Sequence, residues 1–161
     1  TIFVFIGDHG LRGGAGDLFP ESFTKYDFQA EHVPLLFYAP GLIEPKVIQK
    51  VCSQLDVLPS IAHLAKRNHI NTTMGMNLFS SDSLPRYAFI ADPEKNSIAA
   101  IGDTFYWERS ATGNEILASV LNNEPIPASP YIDSVKLQMK KWALGFYEAS
   151  RYLLLNNKKT P

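Results

Sequence analysis

TIFVFIGDHG, residues 1–10, is the stretch on which the fold turns. Thr1–Ile6 is a continuous apolar run rich in Ile, Val and Phe. A run without polar alternation predicts a strand covered on both faces, the kind found in parallel α/β sheets. It ends in Gly7, Asp8, His9 and Gly10. In open α/β sheets ligands collect at the carboxyl ends of the strands, which is where Asp8 and His9 fall. A carboxylate oxygen and an imidazole nitrogen together suit Zn²⁺ or Mn²⁺ better than Ca²⁺, which prefers an all-oxygen shell. The flanking glycines let the backbone turn so that two neighbouring side chains aim at one point. Two donors are still short of the roughly four that a site needs. The same residues also read as an Asp-initiated turn with an incidental His.

Beyond this strand, residues 7–31 are glycine-rich and then polar, without clean periodicity, and a loop of that length in a compact domain is more often functional than accidental. HVPLLFYAPG, 32–41, reads as a second buried strand closed by Pro40-Gly41. Val47–Val51 is a candidate edge strand. In SQLDVLPSIAHLAK, 53–66, Leu55, Leu58, Ile61, Ala62 and Ala65 recur at helical spacing, with Asp56 as the expected N-cap and Pro59 in the first turn. Residues 67–83 form a linker anchored by Met74, Met76, Leu78 and Phe79. Arg86–Ala91 reads as a strand, and SIAAIGDTFYWER, 97–109, as a hairpin turning at Gly102-Asp103. The clearest helix is 131–155, where Val135, Met139, Trp142, Phe146, Ala149 and Leu153 form one packing stripe and Lys136, Lys140 and Lys141 lie outside it.

Composition narrows the function classes. The chain has 161 residues, enough for one domain with a real core. With 15 basic against 16 acidic residues it lacks the basic excess of a nucleic-acid binder. Cys52 stands alone, which excludes an internal disulfide and a cysteine metal cage. No apolar run approaches the roughly 18 residues of a membrane span. Opening on Thr1 directly into strand sequence, the chain is expected to be a segment of a longer protein, with any targeting or membrane-anchoring region upstream.

Taken in order, the strand-terminal DHG, the glycine-bearing loop, HVPLLFYAPG and SQLDVLPSIAHLAK resemble the C-terminal half of the sulfatase-like branch of the alkaline-phosphatase superfamily. The nearest likeness is to membrane-anchored phosphoglycerol transferases and lipoteichoic-acid synthases, and GMNLF at 75–79 and the hairpin also fit that family's later segments. The resemblance implies an alkaline-phosphatase-like α/β sandwich with a C-terminal antiparallel hairpin and closing helix. It spans residues 1–161 as the C-terminal portion of a catalytic domain, with 1–83 the α/β part bearing the metal motif and 84–161 the hairpin and helix. It implies that Asp8 and His9 bind a divalent metal, Mn or Zn before Ca or Mg. It also implies that His32 lies on the active-site face as a contact to the substrate or leaving group, and that Lys25 contacts substrate. An upstream acidic ligand and a Thr, Ser or formylglycine nucleophile belong to the family but not to this chain, so this segment alone is expected to be inactive.

The implied activity of the full-length parent is metal-dependent transfer or hydrolysis of phosphate or sulfate esters. Phosphoglycerol transfer to an extracytoplasmic glycan or lipid, at the outer face of a bacterial membrane, is the first expectation. Sulfatase hydrolysis is the second, and a degenerate polyanion-binding or structural domain is the non-enzyme alternative. The expected partners are the ester substrate and the upstream half of the same protein, with membrane association through that missing region and no nucleic acid.

Other candidates carry less. His63 is expected to be structural and His69 solvent-facing. Asp17, Glu21, Asp27 and Glu31 are read as loop-solvating charges rather than ligands. GLRGGAGD, 10–17, lacks the Gly-Lys-Ser/Thr ending of a P-loop, and Arg12 within it is read as solvated. Asn71-Thr72-Thr73 is a glycosylation sequon by letters only.

Overall fold

A computed structural model describes residues 1–13, 18–81 and 85–156. Asp17 and two of the four GLRGGAGD glycines, Gly14 and Gly16, lie outside the described residues. The architecture is mixed α/β, with two antiparallel sheets and a long C-terminal helix.

The first sheet has two strands, β1 (Phe3–Ile6) and β2 (Leu35–Tyr38), paired antiparallel from Phe3↔Tyr38 to Ile6↔Leu35. This corrects the expectation of a parallel strand covered on both faces. Phe3, Phe5, Leu36 and Tyr38 are each about half exposed. Between the strands lie two short helices, α1 (Glu21–Lys25) and α2 (Phe28–Glu31). At one turn or little more, neither is long enough to imprint a 3.6-residue period on the sequence. Val47–Val51 forms no strand.

A 3₁₀ turn, Gln54–Asp56, leads into α3 (Val57–Leu64). Asp56 stands at the N-cap of α3 as expected but makes no side-chain cap bond there, and the side-chain cap, on the 3₁₀ turn, is Ser53. The Ser53 hydroxyl accepts the Leu55 N–H at 3.2 Å, and the Asp56 carboxylate reaches back to the Ser53 N–H at 2.9 Å, a reciprocal capping box. The other Asp56 oxygen accepts the Met76 N–H at 2.6 Å, so this buried side chain ties the helix start to the linker anchored by Leu78.

The second sheet runs β3 (Ala88–Asp92), β4 (Ser97–Ile101), β5 (Phe105–Ser110) and β6 (Glu115–Ser119), each antiparallel to its neighbour. The expected hairpin is its central pair. Alternation in β4 and β5 sends side chains to two cores. On one face Ala99, Tyr106, Ala118 and Val120 pack with Phe28, and Phe23 and Tyr26 complete the layer. The fully buried Ser22 hydroxyl donates to the Val120 carbonyl at 2.6 Å and fixes α1 on that face. On the other face Ala100 and Trp107 meet Met139 and Ala143 of the final helix, α4 (Pro130–Asn156). The hairpin is thus the centre of the second sheet, because its alternating small and aromatic residues can be buried on both sides.

Helix α4 begins with Pro130 in its first turn, where the missing N–H costs nothing, and the Ser129 hydroxyl accepts the Ile132 N–H at 3.3 Å. The predicted stripe packs through Val135, Met139, Trp142 and Phe146, whereas Ala149 and Leu153 are exposed. A 27-residue helix is about 40 Å long and a six-residue strand only about 20 Å, so the helix outruns the sheet it covers.

Lys140, outside the stripe, reaches Glu115 at 2.6 Å. The bond to Lys140 holds the Glu115 carboxyl below its ordinary value. A depressed carboxyl stabilises the fold above its unfolded pKa, and that contribution disappears as pH falls through the folded value. Lys140→Met is therefore expected to cost about 0.5–1 kcal/mol at pH 7. The gap from wild type should close as pH falls below the ordinary Glu range and through the lower folded value, when thermal midpoints are compared across pH. A gap that persists after Glu115 is protonated would mean that lost packing, not the ion pair, is responsible.

Candidate metal-binding edge

The end of β1 is held by three independent backbone clamps. The Gly7 N–H donates to the Pro34 carbonyl at 3.2 Å, and the Gly10 N–H donates to the Ala30 carbonyl at 2.7 Å. The Gln54 side-chain amide donates to the carbonyls of both Gly7 (2.8 Å) and Asp8 (2.9 Å). Both glycines are required by close approach rather than by unusual dihedrals. A Cβ at Gly7 would lie 2.9 Å from the Val33 Cβ, and one at Gly10 would overlap the Gln29 carbonyl oxygen.

On this fixed backbone the Asp8 and His9 side chains project into solvent, 89% and 72% exposed. Asp8 Oδ1 accepts the His9 N–H at 2.9 Å, and this bond leads the causes that lower the Asp8 pKa. His9 Nδ1 lies 2.9 Å from the Gly10 carbonyl, which can only accept, so Nδ1 carries the proton in that contact. The same contact, with Asp8 second, raises the His9 pKa. Neutral His9 then presents the Nε2 lone pair, 3.7 Å from Asp8 Oδ2. A backbone carbonyl on one ring nitrogen is the usual way a metal-binding imidazole is oriented. Adjacent donors around an ion at about 2.0–2.2 Å stand roughly 3.0–3.4 Å apart, so a small rotation of either side chain suffices. The pair therefore fits as two donors. Among the described residues no group of three or more His, Cys, Asp or Glu could hold an ion.

The antiparallel pairing of Ile6 with Leu35 brings His32 to the same end of the sheet as Asp8 and His9. Its ring is set edge-on between Phe19 and Phe23, at centroid distances of 5.9 and 5.7 Å, and is exposed. Lys25 points elsewhere, donating to Asn123 Oδ1 at 2.7 Å and lying over the Tyr26 ring. Asp27 is paired with Lys95 at 2.6 Å. Arg12, read as solvated, is exposed but also forms ion pairs with Asp92 and Glu94, tying the glycine loop to the β3–β4 turn. His63 stacks on Phe79 with its ring exposed, and His69 is exposed. Asn71 uses its side chain in a local turn with Thr73 and Gly75. Gln54 is the site residue that the sequence did not signal, because its role depends on a contact with a loop 46 residues away.

The comparison with known families falls on the segment that carries this geometry. Residues 1–67 match the Sulfatase family. The sulfatase match supports the sulfatase/alkaline-phosphatase-like superfamily for the part containing Asp8, His9, Lys25, His32 and Gln54. It ends before the GMNLF segment, the four-stranded sheet and α4. No curated protein and no solved structure matches the chain.

Proposed function

We propose that the protein carrying this chain is a metal-dependent enzyme of sulfatase type, acting on phosphate or sulfate esters, and that Asp8 and His9 are two of its metal donors. The observation that carries this reading is the His9 ring, with Nδ1 held by the Gly10 carbonyl and Nε2 beside Asp8, inside the segment that matches the sulfatase family. Sulfatase-family enzymes are generally metal-dependent. A bound divalent ion supplies a lowered pKa for a hydroxyl nucleophile and neutralises charge on the ester oxygens. Asp8 and His9 hold one side of that centre on a backbone fixed by Gln54, Ala30 and Pro34. His32, steadied by Phe19 and Phe23, contacts ester oxygens or gives a proton to the leaving alkoxide. The remaining donors and the nucleophile come from another part of the same protein.

The finer form of the proposal is phosphoglycerol transfer to an extracytoplasmic glycan or lipid at a bacterial membrane, and it rests on the DHG and HVPLLFYAPG sequences. No helix among the described residues is long and apolar enough to cross a membrane. On this reading, membrane association comes through a region outside this chain.

The test is a substrate panel on the whole protein, with and without chelation. Nitrophenyl sulfate, nitrophenyl phosphate, a phosphodiester and phosphatidylglycerol vesicles are the substrates. Turnover that disappears on chelation and returns with Mn²⁺ or Zn²⁺ is expected. Diacylglycerol release from the vesicles supports the transferase form, and sulfate release alone supports hydrolysis. Absence of turnover on every ester in metal-loaded protein overturns the proposal.

A further inference from the structure

On the face of α4 away from Lys140, the helix, β3 and the segments around Val51–Asp56 and Met74–Met76 enclose a cleft of about 460 Å³. That volume lies within the range of small-molecule sites, about 300–1,000 Å³. Its walls are mostly apolar. Tyr87 meets Trp142 edge-on at 5.4 Å, Trp142 meets Phe146 at 5.1 Å, and Phe146 stacks on Phe89 at 4.8 Å. Met74 and Met76 also line it.

Gly145 lines this cleft in the interior of a 27-residue helix. A Cβ there would meet no atom within 4 Å. Glycine weakens a helix interior, and no packing among the described residues requires it at this position. What its absent side chain does is leave the cleft open.

Several of the polar groups inside are engaged by the protein itself. Asp56 accepts the N–H groups of Ser53 and Met76, and an Arg86 nitrogen donates to the Asn77 carbonyl and the Ser80 hydroxyl. A polyhydroxylated ligand such as a sugar would find few free partners there. Lys141, exposed at the rim, has no ion pair among the described residues. Methionine side chains adapt to flexible apolar chains.

We propose that this cleft binds a soluble amphiphile consisting of an aliphatic chain with one anionic head group. The chain lies along Trp142, Phe146 and the two methionines, over Gly145, and the head group pairs with Lys141. The inference does not depend on the metal-binding edge.

Decyl phosphate below its micellar concentration is the probe, titrated calorimetrically into the intact protein, with inorganic phosphate and decanol as controls. One equivalent of decyl phosphate should bind, and inorganic phosphate should not. Gly145→Leu should weaken binding more than about tenfold, the effect of displacing some two methylenes, while its thermal midpoint stays at or above that of wild type. Lys141→Gln should weaken decyl phosphate about threefold to tenfold and leave decanol unchanged, which keeps the proposal testable if the leucine variant folds poorly. Failure of the wild-type protein to bind, as when polypeptide already fills the cleft, overturns the proposal. Unchanged affinity in a folded Gly145→Leu variant does the same.

Discussion

Asp8→Ala in the intact protein should reduce metal-dependent ester turnover by at least about 100-fold, and lower bound metal in parallel, without unfolding anything. The two halves of that expectation have separate physical causes. The Asp8 side chain is 89% exposed, and it accepts a hydrogen bond from the adjacent His9 N–H. Surface changes of this kind usually move stability by no more than about 0.5 kcal/mol. The backbone clamps from Gln54, Ala30 and Pro34 do not involve the carboxylate, so the loop keeps its course. What is lost is an anionic donor beside His9 Nε2. Asp8→Asn sharpens the reading, since its carbonyl oxygen can still accept the His9 N–H while the charge is gone. It should retain wild-type stability and bind metal more weakly. Elemental analysis, steady-state rates and a thermal melt on the same preparations check all three statements. Full metal content and activity in Asp8→Ala would remove Asp8 as a ligand.

Which parts of this molecule were legible in its sequence follows from how far each signal reaches along the chain. Helix α4 was legible because its stripe repeats over many turns, and the β4–β5 hairpin because two β-type runs flank Gly102-Asp103. The sense of pairing of β1 was not. An unbroken apolar run implies two-sided cover, yet β1 pairs antiparallel with β2 and leaves Phe3 and Phe5 about half exposed. Helices α1 and α2 were missed because elements of five and four residues hold no period. At the site, the adjacency of Asp8 and His9 between glycines was visible locally. The partners that orient them were not, since Gln54 and Ala30 arrive through tertiary contacts. The ion pairs of Arg12 were missed for the same reason, its carboxylate partners lying some 80 residues away.

Exposure of the Asp8–His9 pair and rigidity of its backbone are complementary. Side chains that face solvent contribute little to folding, so their positions must be set by the main chain beneath them. The GDHG backbone is accordingly bonded to α2, to the approach of β2 and to the turn before α3. A change in that backbone should disturb chemistry and stability together, unlike a change at Asp8.

Gly10→Ala is the substitution that tests this most severely. Its Cβ would overlap the Gln29 carbonyl oxygen and lie 3.1 Å from the Gln29 carbonyl carbon and 3.4 Å from the Ala30 Cα. All three are main-chain atoms of α2, so no rotamer change relieves the clash. The loop must move away, which breaks the 2.7 Å bond from the Gly10 N–H to Ala30 and displaces the carbonyl that holds His9 Nδ1. Loss of a close main-chain approach and its hydrogen bond should cost about 2–4 kcal/mol, with metal affinity falling as well. Two further glycines calibrate the result. Gly7→Ala brings its Cβ 2.9 Å from the Val33 Cβ, a smaller overlap than the one at Gly10, and should cost less. Gly145→Ala meets nothing and gains helix propensity, so it should stabilise by about 0.5–1 kcal/mol. One chemical change should thus give three outcomes of different size and sign in urea unfolding, ordered by what each Cβ touches. A Gly10→Ala protein as stable as wild type would show that the DHG loop does not rest against α2, and the fixed geometry assigned to His9 would fall with it.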